Sequence, residues 1–157
     1  MKPYRDIATL ATVQIAIFCL LANLEPTFFL IHLYESVLYI AILVMLFYMV
    51  DRWAYMIGML ASVVWLGLAY ETGILGRAVQ GMSLLSTADW TANLVALGAL
   101  MTALVAVLMV VFCGRHWLKE YSGLGKARST FFVSLGIVAV YYGTLLRFFW
   151  DMIPSAS

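Results

Sequence analysis

Five long apolar stretches, separated by short polar breaks, dominate the chain. They cover residues 7–24, 28–50, 53–70, 92–113 and 129–150, and each is between 18 and 23 residues long. An α-helix needs about 20 residues to cross about 30 Å of hydrocarbon, whereas membrane strands are shorter and alternate apolar with polar positions. The pattern therefore predicts an all-α integral membrane protein. We expect one domain over residues 1–157, a bundle of five transmembrane helices.

Composition supports this interpretation. The chain is 65% hydrophobic and 11% charged, whereas a soluble domain carries about 45–50% apolar and about 25% charged residues. Its surface must therefore be apolar as well, which suits lipid. The partners we expect are the lipid bilayer and other membrane subunits, and not nucleic acid.

The positive charges are distributed unequally between the two sides of the five stretches. Cytoplasmic loops of membrane proteins are enriched in Lys and Arg, so the distribution predicts a cytoplasmic N-terminus and a C-terminus outside. It also predicts a multi-pass protein of a bacterial inner membrane or an equivalent membrane. Two of the nine Lys and Arg residues, Arg77 and Arg147, fall on the outer side. Seven fall on the inner side: Lys2, Arg5, Arg52, Arg115, Lys119, Lys126 and Arg128.

The two longest connections differ in composition. In the outer segment 71–91, apolar residues recur at helical spacing, which favours a short helix on the outer membrane surface. These residues are Leu75, Val79, Met82 and Leu85. The inner loop 114–128 is basic, and we expect its charges to meet anionic lipid head groups.

Small residues recur every four positions on three of the predicted helices. Such ladders let helix backbones approach closely, which promotes helix association in a membrane. We expect them to close the bundle or to contact a partner subunit. The ladders are Ala54, Gly58 and Ser62 on the third stretch, Gly98, Thr102 and Ala106 on the fourth, and Ala139 and Gly143 on the fifth.

The candidate chemistry lies in the outer half of the second stretch. His32, Glu35 and Tyr39 fall at i, i+3 and i+7, which places them on one face of a helix. Glu25 lies seven residues before His32, at the surface. Glu35 lies about 10 Å below Phe28 at about 1.5 Å per residue. An acid at that depth is usually paired, protonated or functional, and Arg147 is predicted at a depth that allows a pair with Glu35 or Glu25.

This cluster of Glu25, His32, Glu35, Tyr39 and Arg147 has three interpretations. It is a structural polar contact between the second and fifth helices, or a proton, ion or substrate site, or a contact with a cofactor. Haem, chlorophyll, carotenoid and quinone are the cofactors to consider, at an interface with a partner subunit. His32 is the candidate axial ligand for a haem or a chlorophyll. The other histidine lies beyond the inner end of the fourth stretch, which excludes a haem held by both histidines of one chain.

Catalytic and metal-binding motifs are absent from the sequence. The chain has no C-x-x-C-H, no H-E-x-x-H and no cysteine and histidine set of metal-ligand spacing. We therefore assign no catalytic residue and no metal site. The function we expect is that of a non-catalytic accessory subunit of a larger membrane complex, such as an electron-transfer or photosynthetic assembly. The alternative is a small homo-oligomeric transporter or channel with an outer proton or ion site at His32, Glu35 and Arg147. A quinone-handling or lipid-handling enzyme is a third interpretation.

Overall fold

The computed structural model describes residues 4–48, 50–83, 90–121 and 127–149, and within these ranges its regular secondary structure is helical throughout. Five of the helices are long and apolar enough to cross a membrane, which confirms the predicted all-helical fold and the predicted number of helices of membrane-spanning length. The helices are α1 (Arg5–Leu24), α2 (Phe29–Phe47), α3 (Asp51–Glu71), α4 (Ile74–Ser83), α5 (Trp90–Glu120) and α6 (Ala127–Phe149), with a single 3₁₀ turn (Pro26–Phe28) before α2.

Tight connections fix the order of the first four helices. The Glu25 amide N–H donates to the Leu21 carbonyl and closes α1, and Pro26 then begins the next turn, where its missing N–H costs nothing. The chain between α2 and α3 is so short that these helices are antiparallel neighbours. Between α3 and α4, Gly73 has a φ of 68°, a left-handed conformation that glycine adopts without a Cβ clash.

The bundle is built around α3. One face of this helix is buried from Ala54 through Gly58 and Ser62 to Ala69, because it packs against α5, α6 and α2. In turn, α1 packs between α2 and α5. Large apolar side chains remain exposed on the outside of the bundle, such as Leu30 and Val140. Together with the length of the five helices, this exposed apolar surface indicates a multi-pass membrane protein.

The bundle has two ends, which are named here after an acidic residue of each. The Glu25 end comprises the α1–α2 connection, α4, the start of α5 and the C-terminal end of α6. The Asp51 end comprises the start of α1, the start of α3, the C-terminal end of α5 and the start of α6.

Two connections differ from the sequence-based expectation. α5 does not stop at Cys113 but continues to Glu120, so the first half of the loop expected at 114–128 is helical. The helix was predicted to end at Cys113 because the apolar stretch ends there. The helical backbone hydrogen bonds continue past Cys113 because no proline follows it within the helix. Residues 122–126 lie outside the described residues, as do Lys2 and residues 84–89, which include Leu85.

The segment 71–91 contains a short helix, as expected, but α4 does not simply lie on a membrane surface. It packs on α5 and α3. Its inward face includes Ala78, which is buried, and Gly81, where an added Cβ would lie 3.1 Å from the Ala96 Cβ. Val79, a member of the predicted apolar stripe, is exposed instead. Small residues face the bundle because α4 lies close to α5.

The small-residue ladders occupy two different environments. The ladders of α3 and α5 are buried. A Cβ on Gly58 would lie 3.1 Å from the Cys113 Sγ, and one on Gly98 would lie 2.7 Å from the Leu21 Cδ2. By contrast, Ala139 is exposed on α6, and a Cβ on Gly143 would meet nothing within 4 Å. The third ladder is therefore open on the outside of the bundle.

Candidate functional site

A cavity of about 620 Å³ opens within the Glu25 end of the bundle. Side chains of α1, α2, α3, α4, α5 and α6 line it. Most of the wall is apolar, with Phe18 and Ile31 among its members. The polar groups on its wall are Glu25, His32, Glu35, Trp65, Thr72, Arg77, Thr91, Thr102 and Tyr142.

His32 lies between two carboxylates at this cavity. Its Nε2 is 3.4 Å from Glu25 Oε2, a long hydrogen bond, and its Nδ1 is 3.4 Å from Glu35 Oε2. The second contact has ion-pair distance but not hydrogen-bond geometry, because the buried Nδ1 has no hydrogen-bond partner. The Phe18 ring stacks on the imidazole, with 6.3 Å between ring centroids. The register of α2 places His32 and Glu35 one turn apart, and the α1–α2 connection brings Glu25 to the same face.

Glu35 has a second partner on another helix. The Trp65 Nε1–H on α3 donates to Glu35 Oε1 at 3.0 Å. Trp65 is 7% exposed, and a buried indole N–H needs an acceptor. Trp65 was not among the residues predicted for the site. The available signal was its position on α3, three residues after Ser62 and seven after Gly58, on the small-residue face.

Arg147 does not reach this cluster. It is exposed on α6, and within the described residues the ion pairs of Glu25 and Glu35 are both with His32. α2 and α6 are in contact, as expected, but the contact is made by two tyrosines and not by Arg147. Each hydroxyl of Tyr34 and Tyr141 donates to the backbone carbonyl of the other residue, and the rings stack at 4.4 Å. α6 packs mainly on α3, which turns Arg147 away from Glu35.

Further buried polar groups lie deeper in the bundle, on four different helices. Tyr39 is one turn below Glu35 on α2, and its hydroxyl lies near Ser62 on α3 without a hydrogen bond to it. Thr102 on α5 and Gln14 on α1 are completely buried, and their side-chain polar atoms have no partner among the described residues. Buried polar atoms are normally satisfied by protein or by ordered water. Thr102 also lines the cavity.

The Asp51 end carries a second histidine–glutamate pair. His116 Nδ1 is 3.5 Å from Glu120 Oε1, and the ring of Tyr55 lies 5.5 Å from that of His116. The rings of Tyr55 and Trp117 both lie against Tyr121. Burial raises the pKa of Tyr121, and the nearby carboxylates of Asp51 and Glu120 raise it further. Aromatic rings pack this end of the bundle.

The donor atoms at the cavity suit hydrogen bonding and charge pairing. Within residues 4–48, 50–83, 90–121 and 127–149, no three His, Cys, Asp or Glu side chains are grouped so that they could hold a metal ion. Both ring nitrogens of His32 face carboxylates, so axial ligation of a haem or a chlorophyll would have to displace one of them. The cluster can donate and accept hydrogen bonds, exchange a proton and attract positive charge. No protein-family model, curated protein or solved structure matches the chain.

Proposed function

We propose that the protein binds a small, membrane-soluble organic molecule in the cavity at the Glu25 end. The observation that carries this proposal is an apolar cavity of about 620 Å³ with a polar cluster of Glu25, His32, Glu35 and Trp65 on its wall. Ligand sites in proteins are typically about 300–1,000 Å³ in volume and mostly apolar, with a few polar groups that orient the ligand. Both features are present here.

Such binding is the first step required of a small transporter, the alternative function predicted from the sequence. His32 and Glu35 keep their place in that hypothesis, and Trp65 takes the position that Arg147 was expected to fill. The uneven distribution of Lys and Arg supports an orientation with a cytoplasmic N-terminus. In that orientation the cavity lies in the outer half of the membrane, and the transport step itself stays a prediction.

A cavity-filling substitution tests the proposal. Ala99 lines the cavity on α5, so Ala99→Phe should occupy part of the ligand volume. Ala41→Phe is the matched control, because Ala41 is exposed on α2 and does not line the cavity. Each variant is purified from the native host membrane, and its organic extract is analysed by liquid chromatography and mass spectrometry.

We expect a small molecule to co-purify in a fixed ratio with the wild type and with Ala41→Phe, and to be lost from Ala99→Phe. Equal extracts from all three proteins, when all three fold, would contradict the proposal. Folding is checked by circular dichroism and by a monodisperse size-exclusion peak.

The accessory-subunit hypothesis is the second candidate, and the open face of α6 favours it. Gly136, Ala139 and Gly143 lie at i, i+3 and i+7 on exposed helix surface, where a second helix could approach closely. Gentle detergent extraction followed by native mass measurement and an absorption spectrum tests this. A hetero-complex with haem, chlorophyll or carotenoid bands, disrupted by Gly143→Leu, would establish an electron-transfer or photosynthetic assembly. A colourless particle made of this chain alone would exclude it.

A further inference from the structure

The two carboxylates on the cavity wall share a single cationic partner in direct contact. Glu25 and Glu35 both pair with His32, so a protonated His32 neutralises one carboxylate and leaves one negative charge. Arg77 also lines the cavity, but it is exposed, and within the described part of the chain it makes no ion pair with either glutamate. An unbalanced charge at this depth in a membrane is costly. A ligand with one positive charge would remove that cost.

The rest of the wall suits the body of an organic cation. The aromatic rings of Phe18, Phe28 and Trp65 line the same cavity, and aromatic faces attract cations. Thr102 lies on its α5 wall, completely buried, with a hydroxyl that has no partner among the described residues. An unsatisfied hydroxyl inside a cavity is an independent indication that a further molecule belongs there.

We propose that the cavity takes a lipophilic organic cation with a single positive charge, which Glu25 and Glu35 neutralise while the apolar wall covers its hydrocarbon body. This inference rests on the proposed function and names its ligand class. A neutral ligand would leave the residual charge in place, and an anion would be repelled by it. A small hydrated ion would leave the apolar wall without a partner.

The matched probes for this test are tetraphenylphosphonium and tetraphenylborate, which have nearly the same shape and opposite charge. Binding of each radiolabelled probe to the full chain in lipid nanodiscs is measured, with empty nanodiscs subtracted. We expect saturable binding of the phosphonium and none of the borate. Glu35→Gln should weaken phosphonium binding about tenfold, as expected for the loss of one partly buried charge pair, and Glu25→Gln should weaken it less, because the Glu25 side chain is 30% exposed.

Glu71→Gln is the matched control. Glu71 is an exposed acid at the same end of the bundle, and it does not line the cavity, so this variant should bind the phosphonium like the wild type. If Glu35→Gln does not give a monodisperse protein, Glu25→Gln carries the test, and it must weaken phosphonium binding relative to Glu71→Gln for the inference to stand.

The negative results distinguish a failure of the cation inference from a failure of the proposed function. If the phosphonium does not bind saturably, or binds no more tightly than the borate, the cation inference is overturned. In that case a co-purified molecule that Ala99→Phe removes would still support the cavity as a binding site. If that molecule is also missing, the proposed function fails together with the inference.

Discussion

The two ends of the bundle contain the same pair of residue types, but the surroundings of the pair are closely packed at one end and form a cavity at the other. Each places a histidine and a glutamate one helical turn apart, His32 with Glu35 and His116 with Glu120. At the Asp51 end, tyrosine and tryptophan rings pack against one another beside the pair. At the Glu25 end, the pair lies on the wall of a cavity. The same two residue types therefore lie among packed rings at one end and beside a cavity of ligand size at the other.

The difference in exposure is equally instructive. The side chains of His116 and Glu120 are 18% and 29% exposed, and ion pairs that water reaches contribute about 0–1 kcal/mol because water screens them. Glu35 is partly buried and accepts a hydrogen bond from Trp65 on a neighbouring helix. A carboxylate in that position is costly unless it is paired or used. Glu35 is therefore held by partners on two helices, whereas the pair of His116 and Glu120 lies within α5.

Overpacking the helix contacts should have the largest effect on the free energy of unfolding. Gly58→Leu would push against Cys113 Sγ at 3.1 Å and Met109 Cε at 3.2 Å, so we expect a loss of about 3 kcal/mol in the free energy of unfolding. Gly98→Leu should cost only about 1 kcal/mol, although its contact is closer, because Leu21 borders the cavity and can move into it.

Sodium dodecyl sulfate titration followed by circular dichroism measures both changes in unfolding free energy. Gly136→Leu is the control, since nothing lies within 4 Å of a Cβ there, and it should leave stability unchanged. Equal losses of unfolding free energy for the Gly58 and Gly98 variants would show that Leu21 cannot move into the cavity.

The next largest effect is expected at Glu35. Glu35→Ala removes the acceptor of the Trp65 N–H and one partner of His32, and we expect it to lower the free energy of unfolding by about 2 kcal/mol. Glu71→Ala, at an exposed acid of the same end, is the control and should change little. A Glu35→Ala variant as stable as the wild type would show that this hydrogen bond contributes nothing to the fold.

The contact between α2 and α6 should show a smaller effect. Tyr141→Phe removes the hydroxyl that donates to the Tyr34 carbonyl but keeps the stacked ring, so we expect a loss of about 1 kcal/mol. Tyr70→Phe is the control, because Tyr70 is exposed on α3. Thermal unfolding followed by intrinsic fluorescence measures both, and a Tyr70→Phe effect as large as that of Tyr141→Phe would argue against a specific role of this contact.

Glu120→Ala should have the smallest effect. Because the pair with His116 is a partly exposed contact within one helix, we expect a change of at most about 0.5 kcal/mol. The same fluorescence melt in low and high salt measures it. A loss comparable to that of Glu35→Ala would remove the distinction between the two ends.

Local sequence patterns were sufficient to predict the five long apolar helices and part of the candidate site. Length and apolarity determine which segments can cross a membrane, so the five spans follow from the sequence. The spacing of His32 and Glu35 could be interpreted because both residues lie on one helix, where i and i+3 always share a face. Glu25 could be added because a short connection keeps it beside the start of that helix.

Contacts between helices could not be predicted in the same way. Arg147 was expected near Glu35 because both lie at similar depth, but depth does not determine how a helix is rotated about its axis. The rotation follows from packing, which on α3 is set by close approaches such as that of Gly58 to Cys113. For the same reason Trp65 and Thr102 were not recognised as parts of one site, although both lie on faces marked by small residues.

The most direct test of the difference between the two ends is an experimental density map of the protein, purified from its native membrane and bound to an antibody fragment that adds mass. We expect density for a non-protein molecule between Phe18, Trp65 and Thr102, and closely packed rings around Tyr55 at the Asp51 end. A map in which Leu21 and Phe28 fill the space at the Glu25 end, with no density beyond the protein, would contradict it.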